Sequence, residues 1–433
     1  MDFLTYINKA VTPYQAIDTL REYLKEKGYT ELDAGSIWSL KQGGRYYTVP
    51  FGTSIYAFNI GDHYRERGAL RIGGGHTDYP CLRIKPNPEM IEADYMRLDV
   101  ETYGGLIVSS WLDRPLSIAG RVMLKSDDAF DPIAVNVDFA RPLLTIPNLA
   151  IHLNRDINKG YEYNKQTELL PIIGLLSEKF SRDNYLLELL AGELNGGKYG
   201  FNYRIDVDNI LDFDLYVYDC EDAVFLGAEN EFISAPRLDD QTSCYGLITA
   251  LADSENADKI SLVALYDNEE VGSLSKQGAD SLTVNYILEK IYAGLGFETS
   301  ALRDAMFKSM MLSADVAQGY HPNFSAKYDP KNHCICGNGV AIKTNYSQKY
   351  ATDTEALAIV KRLCQVYGIE YQTYANRSDI AGGGTIASIA SSHLPMKTVD
   401  LGVPILAMHS AREFMGAKDQ VYLYQLAKAF FEN

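Results

Sequence analysis

The stretch LVALYDNEEVGS, residues 262–273, runs an apolar segment straight into Asp267, Asn268, Glu269 and Glu270. Adjacent carboxylates after a strand that reads as buried are costly, because they repel one another and burial penalises both charges. A positive partner would make the arrangement worth keeping. Other apolar runs end in the same way: LRIGGG leads to His76 and Asp78, ISAPRL to Asp239 and Asp240, MMLSA to Asp315, and PILAM to His409. Taken singly, each has an ordinary explanation. Asp239-Asp240 or Asp315 can cap a helix, and His76 or His409 can be a packed histidine. Five segments that each deliver a histidine or an acid at the same end are hard to obtain from solvation alone.

The chemistry that needs this set is hydrolysis by two metal ions. Two divalent cations about 3.5–4 Å apart need a bridging carboxylate, terminal His and carboxylate ligands, and a free carboxylate for the water between them. Imidazole and carboxylate donors without thiolate suit zinc, with manganese or cobalt as alternatives, in a catalytic site. Of the two glutamates, one can ligate a metal while the other stays free as proton acceptor. A ligand histidine also wants a carboxylate behind it, and Asp78 stands two residues after His76.

These residues need a sheet to gather them, since ligands of open α/β sheets sit beyond the carboxyl ends of the strands. An amphipathic helix is read over about 14–28, and LRIGGGHTDYP as a strand broken by its three glycines. Short β-like runs then follow (GLIVSSWLDRPLSIAGRVMLK, AVNVDFARPLLTI, DFDLYVYDCEDAVFLG), with one helix near 183–192. After about 229, helices alternate with apolar strands, as in a sheet covered on both faces. The expected fold is therefore α/β. Residues 1–87 and 229–433 form a discontinuous catalytic domain around a mixed, mostly parallel sheet, and 88–228 form an inserted, mainly β domain suited to dimerisation.

The 433 residues carry 57 acidic against 40 basic side chains, a formal net charge of −17, which argues against nucleic-acid or anionic-membrane binding. The N-terminus lacks a basic then apolar leader, and no apolar run approaches the roughly eighteen residues of a membrane span. The six cysteines are scattered, with only Cys334 and Cys336 close, as expected of reduced thiols in a cytoplasmic protein.

The segments GGGHTDYPCLRIKP, SAPRLDD, DNEEVGS, SADVAQGYHPNF, GVAIKTNYSQKYATD and VDLGVPILAMHSAREFMG together resemble the aspartyl aminopeptidase family of zinc metallopeptidases. TPYQAIDTLREYLKEKGYTEL, YGGLIVSSWLDRPLSIAGRV and IPNLAIHLNRDIN extend the likeness to nearly the whole chain. The resemblance implies His76, Asp239, Glu270, Asp315 and His409 as metal ligands, with Asp239 bridging two zinc ions and the Asp239–Asp240 bond a candidate cis peptide. It implies Glu269 as general base and Asp78 as the residue that orients His76. It also implies His152 as a catalytic histidine reaching a neighbouring subunit's site. Lys343, His321 and Gly383 become the substrate-binding candidates, the last in the small-residue segment RSDIAGGGTIAS. Departures occur at Gln318, Asn148 and Asp240, where animal members usually have His, His and Asn. They leave the preferred N-terminal residue open between acidic and neutral.

The function so implied is removal of N-terminal residues from small peptides, by a cytoplasmic homo-oligomer built from dimers, in this family typically a tetrahedral dodecamer. The rival readings are a related two-metal deacylase or carboxypeptidase, and a non-catalytic scaffold.

Overall fold

A computed structural model describes residues 1–176 and 184–433. The chain divides into two compact units. The first comprises Met1–Tyr79, Ala223–Met408 and Glu413–Asn433, and the second Pro80–Asp222 with His409–Arg412. The changes of unit after Tyr79 and after Asp222 fall earlier than the 87/88 and 228/229 boundaries drawn from sequence texture, and the short return at His409–Arg412 was not drawn at all. One reason is that the strand Cys81–Glu92 runs unbroken across position 87, paired with Tyr95–Tyr103 and Ile210–Asp219.

The first unit is built on a nine-stranded sheet. Its order is Thr30–Glu31, Arg45–Thr48, Ile55–Ile60, Ile260–Tyr266, Leu70–His76, Met310–Ala314, Lys397–Gly402, Val340–Thr344 and Tyr371–Ala375. Five of its eight pairings are parallel, which makes it the mixed, mostly parallel sheet expected. Period-two alternation between two covered faces explains why ISLVALY is buried throughout. Val263 and Leu265 join one core, while Leu262, Ala264 and Tyr266 join the core on the opposite face. The first core is closed by the amphipathic helix Pro13–Glu26 and by Leu238–Asp253 and Ala417–Glu432; the second by Thr283–Gly294, Thr299–Met306 and Ile386–His393.

The three glycines do not break their strand, which runs continuously from Leu70 to His76. They thin it. A Cβ on Gly73 would lie 2.9 Å from Leu247 and 3.0 Å from Phe431; one on Gly74 would lie 2.6 Å from Met311, and one on Gly75 3.1 Å from the Asp240 carboxylate. The helices Leu238–Asp253 and Ala417–Glu432, and the side chain of Met311 on the neighbouring strand, therefore press close against this central strand. A separate five-stranded sheet, in the order Val224–Leu226, Phe232–Ala235, Glu413–Gly416, Pro404–Leu406, Ala317–Gln318, completes the unit.

The second unit is a six-stranded, wholly antiparallel sheet: Ile133–Asp138, Leu116–Leu124, Ile210–Asp219, Cys81–Glu92, Tyr95–Tyr103, Ile172–Leu175. Arg83 stacks between Tyr216 and Tyr103, its guanidinium carbon 3.8 and 5.3 Å from the ring centres, and pairs with Asp214. Two sequence readings change here. GLIVSSW is not a strand but leads into the 3-10 turn Val108–Trp111, because the Ser110 hydroxyl turns back onto the Ile107 carbonyl. The helix expected near 183–192 spans Tyr185–Leu194, residue 183 lying outside the described residues. None of the six cysteines is in a disulfide.

Candidate metal centre

Three neighbouring parallel strands deliver acids and a histidine to one end of the large sheet. Tyr266 pairs with His76 in register, and the chain beyond each turns toward the other. Asn268 adopts a left-handed conformation, φ 63°, which swings Glu269 and Glu270 back over the strand ends. Their backbone N–H groups both donate to Asp78: Glu269 to Oδ1 and Glu270 to Oδ2, each at 3.1 Å. One carboxylate thus holds the turn by its backbone. Asp315 follows Met310–Ala314, its N–H donating to Leu401 at 2.9 Å.

His76 is buried at 1 % exposure. Its Nδ1 lies 3.1 Å from the Asp78 carbonyl oxygen and 3.4 Å from Asp78 Oδ1. In the neutral imidazole, with Nδ1 donating there, Nε2 keeps the lone pair for a cation. Nε2 faces Asp239 Oδ1 at 3.3 Å and Asp315 Oδ1 at 3.8 Å. Ligand atoms of His76, Asp239, Asp240 and Asp315 lie within 4.8 Å of one another, and those of His76, Glu269 and Glu270 form a second such group.

Asp239 and Asp240 arrive from elsewhere. They follow Phe232–Ala235 of the five-stranded sheet, joined by a cis peptide bond as the resemblance implies, at the start of the helix Leu238–Asp253. Asp240 Oδ2 accepts the His76 backbone N–H at 3.1 Å, so this carboxylate holds the main chain of the histidine. Pro404–Leu406, the strand before His409, also belongs to the five-stranded sheet. The expectation that five strand ends of one sheet carry the donors is therefore corrected. The nine-stranded sheet supplies His76, Glu269, Glu270 and Asp315, while Asp239 and His409 follow strands of the other.

Electrostatics answers the question raised by the paired glutamates. Burial first, then the charges of Asp315, Asp78 and Asp239, pushes the Glu269 carboxyl up to about 8. Burial and Asp239 raise Glu270 well above the carboxylate range, and burial with Asp315 and Asp239 does the same to Asp240. Burial pulls the His76 pKa down, but Asp240, Asp239, Asp315 and Asp78 outweigh it and hold the pKa well above the ordinary value. The pocket is built to hold positive charge. A donor set of imidazole and carboxylates, buried and crowded to this degree, fits divalent cations, which displace protons from their ligands on binding.

Lys343 is a buried lysine at 1 % exposure. Its Nζ donates to the carbonyl oxygens of Asp315 at 3.3 Å and Val316 at 3.2 Å, and lies 3.9 Å from Asp315 Oδ2. Burial lowers its pKa, but Asp315 and Asp400 raise it further, so the ammonium persists. His321, partly buried, accepts the Asn323 N–H at 3.3 Å and packs edge-on against Phe324. Gly383 is exposed, and a Cβ there would meet nothing within 4 Å. In the second unit, His152 is exposed beside exposed Leu149, Ile151 and Leu153, and His409 Nδ1 lies 3.1 Å from the Gly105 carbonyl oxygen. Sequence reasoning missed Glu413, whose buried carboxylate accepts the Asp239 N–H at 2.9 Å, and Asp400, held by Thr385 Oγ1 and the Ala351 N–H. Asp400 lies in an apolar run and Glu413 follows Arg412, and no spacing marks either.

The sequence profile of the Peptidase M18 family, described as "Aminopeptidase I zinc metalloprotease (M18)", matches residues 6–431. A "Probable M18 family aminopeptidase 2" of Clostridium acetobutylicum is 39 % identical over 429 residues, 99 % of this chain and 97 % of the relative. Among solved structures, the "Cryo-EM structure of the Ape4 and Nbr1 complex" superposes with a TM-score of 0.95 at 36 % identity, covering 99 % of this chain and 84 % of that one. "Structure of S. cerevesiae mApe1 dodecamer" gives 0.83 at 27 % identity, covering 99 % and 95 %.

Proposed function

Because the chain belongs to the M18 family of zinc aminopeptidases, hydrolases that remove N-terminal residues from peptides, we propose that the reaction runs where His76, Asp239 and Asp315 converge. The observation that carries this reading is the buried His76 Nε2, aimed at Asp239 and Asp315 with its other nitrogen held by Asp78. His76 and Asp315 would hold one ion and Glu270 and His409 a second, with Asp239 shared between them. Zinc is the expected metal, with manganese or cobalt accepted by the same donors. Two such cations supply an acidified water and polarise the scissile carbonyl.

The chain's own residues do the rest. Glu269 accepts the proton of the attacking water and delivers it to the leaving amine, its carboxylate free because Asp78 restrains only its backbone. Asp78 also fixes the His76 tautomer. His152 helps stabilise the oxyanion in a neighbouring subunit's site. Its exposed apolar neighbours Leu149, Ile151 and Leu153 support a role at a subunit contact, as does a relative described as a dodecamer. Lys343, His321 and Gly383 shape the pocket for the substrate's first side chain. Peptides are the substrates, and the assembly is a homo-oligomer built from dimers. Among the described residues no helix is long and apolar enough to cross a membrane, in keeping with a place in the cytoplasm.

The test is a panel of acidic and neutral aminoacyl anilides beside N-acylated analogues, run before and after chelation and on readdition of zinc, manganese or cobalt. Activity is expected on free amino termini only, lost on chelation and restored by metal. Turnover confined to the blocked compounds, or undiminished after stripping, would overturn the reading.

A further inference from the structure

The geometry points to Glu413 as a positioning residue that sets the carboxylate of Asp239 by holding its backbone, an inference that rests on the bridging role proposed above. Ala235 pairs with Glu413 at the end of the strands Phe232–Ala235 and Glu413–Gly416. Beyond that pair the chain must turn into the helix Leu238–Asp253. Pro236 offers no N–H. Arg237 takes the left-handed cap position, φ 59°, and makes no side-chain cap. Its guanidinium goes instead to the carbonyl oxygens of Ala10 and Ile7, at 3.0 and 3.1 Å, pinning the turn from the other side.

The first N–H groups of a helix have no acceptor within it. Here the Asp239 N–H is taken by Glu413 Oε2 at 2.9 Å, a cap supplied from a different strand. Asp239 and Asp240 consequently sit outside helical geometry, with ψ of 108° and 30°. This conformation directs Asp239 Oδ1 at His76 Nε2, 3.3 Å away. Glu413 is 3 % exposed and is not among the side chains whose ligand atoms gather around His76, so its carboxylate acts on the backbone of Asp239.

The experiment uses the full chain loaded with manganese(II). Chelator competition reads affinity, and electron paramagnetic resonance reads exchange coupling between the two ions. In the parent a coupled pair is expected; its absence would remove the bridge at Asp239 and this assignment with it. Glu413→Ala is expected to lower manganese affinity by about 10–100-fold and to replace the coupled signal with that of isolated ions. Glu413→Gln keeps a carbonyl acceptor at the same reach and should stay close to the parent. Glu413→Asp, one methylene shorter, should resemble the alanine variant. If Glu413→Ala does not fold, the glutamine and aspartate variants decide alone. Parent affinity and coupling in Glu413→Ala or Glu413→Asp, or a glutamine variant as impaired as those are expected to be, overturns the assignment.

Discussion

Replacing Gly402 with alanine probes the metal centre from behind, without touching any donor. Gly402 ends the strand Lys397–Gly402, which runs parallel to Met310–Ala314. The chain leaving that neighbour straddles it: Asp315 N–H donates to Leu401, and Ala317 N–H to Val403, each at 2.9 Å. The Asp315 carbonyl is therefore turned onto the Gly402 Cα. A Cβ at 402 would stand 2.5 Å from the Asp315 carbonyl carbon, closer still to its oxygen, and 3.2 Å from Val316 Cα. Backbone cannot rotate away as a side chain would, so relief requires Asp315 to shift by about 1 Å, enough to cost on the order of 10²-fold in rate. Lys343 holds the same carbonyl at 3.3 Å and would be dislodged with it. Overpacking of this kind costs about 1–3 kcal/mol. For 433 residues the unfolding entropy is about 1 kcal/mol/K, so Tm should fall by only about 1–3 °C. kcat/KM on an aminoacyl anilide, metal content after dialysis and a calorimetric scan separate the effects. A variant that retains the parent kcat/KM and metal content would refute the claim that this contact places Asp315.

Two further outcomes follow from the same structure. Glu269→Gln should keep its metal and KM while kcat falls by about 10²–10⁴-fold; parent turnover with metal retained would remove Glu269 as the base. Asp419 titrates apart from the centre. Burial pushes its carboxyl up to about 7, against the pull of the Gly337 and Gly339 N–H groups at 2.6 and 2.9 Å. A folded pKa above the unfolded one means the native state binds the proton more tightly. The contribution is complete below about pH 4, declines as pH rises and is gone above about 7, for a total of about 4 kcal/mol. Denaturant titrations should therefore show the parent losing stability between those limits relative to Asp419→Asn; parallel curves would contradict this.

Much of this was legible in the sequence because burial writes itself into composition. ISLVALY had to be covered on both faces, and the acids at its end could not be solvated there. The glycines of LRIGGG were legible as unusual but misread as a break, since sequence does not say that three helices crowd the strand. The division of donors between two sheets was not legible either, because ISAPRL and PILAM look like any other strand. Glu413 and Asp400 escaped for a different reason: each serves backbone N–H groups or a hydroxyl, and those partners exist only once the chain has turned. Lys343 sits in GVAIKTN, a run whose apolar residues foretell a strand but not that the ammonium lies within it.

The proposed donors at positions 76, 239, 270 and 315 are remote in the chain, and none of them neighbours another until the sheet has closed. Cations therefore have no nucleus to assemble around early, unlike in a zinc finger, and the polypeptide must complete its slow, long-range pairing while carrying its mutually repelling acids alone. Loading comes last, so the first ion to enter is decided by which divalent metals surround the finished protein. Material made in differently supplied cells should emerge with different metals in one unchanged scaffold.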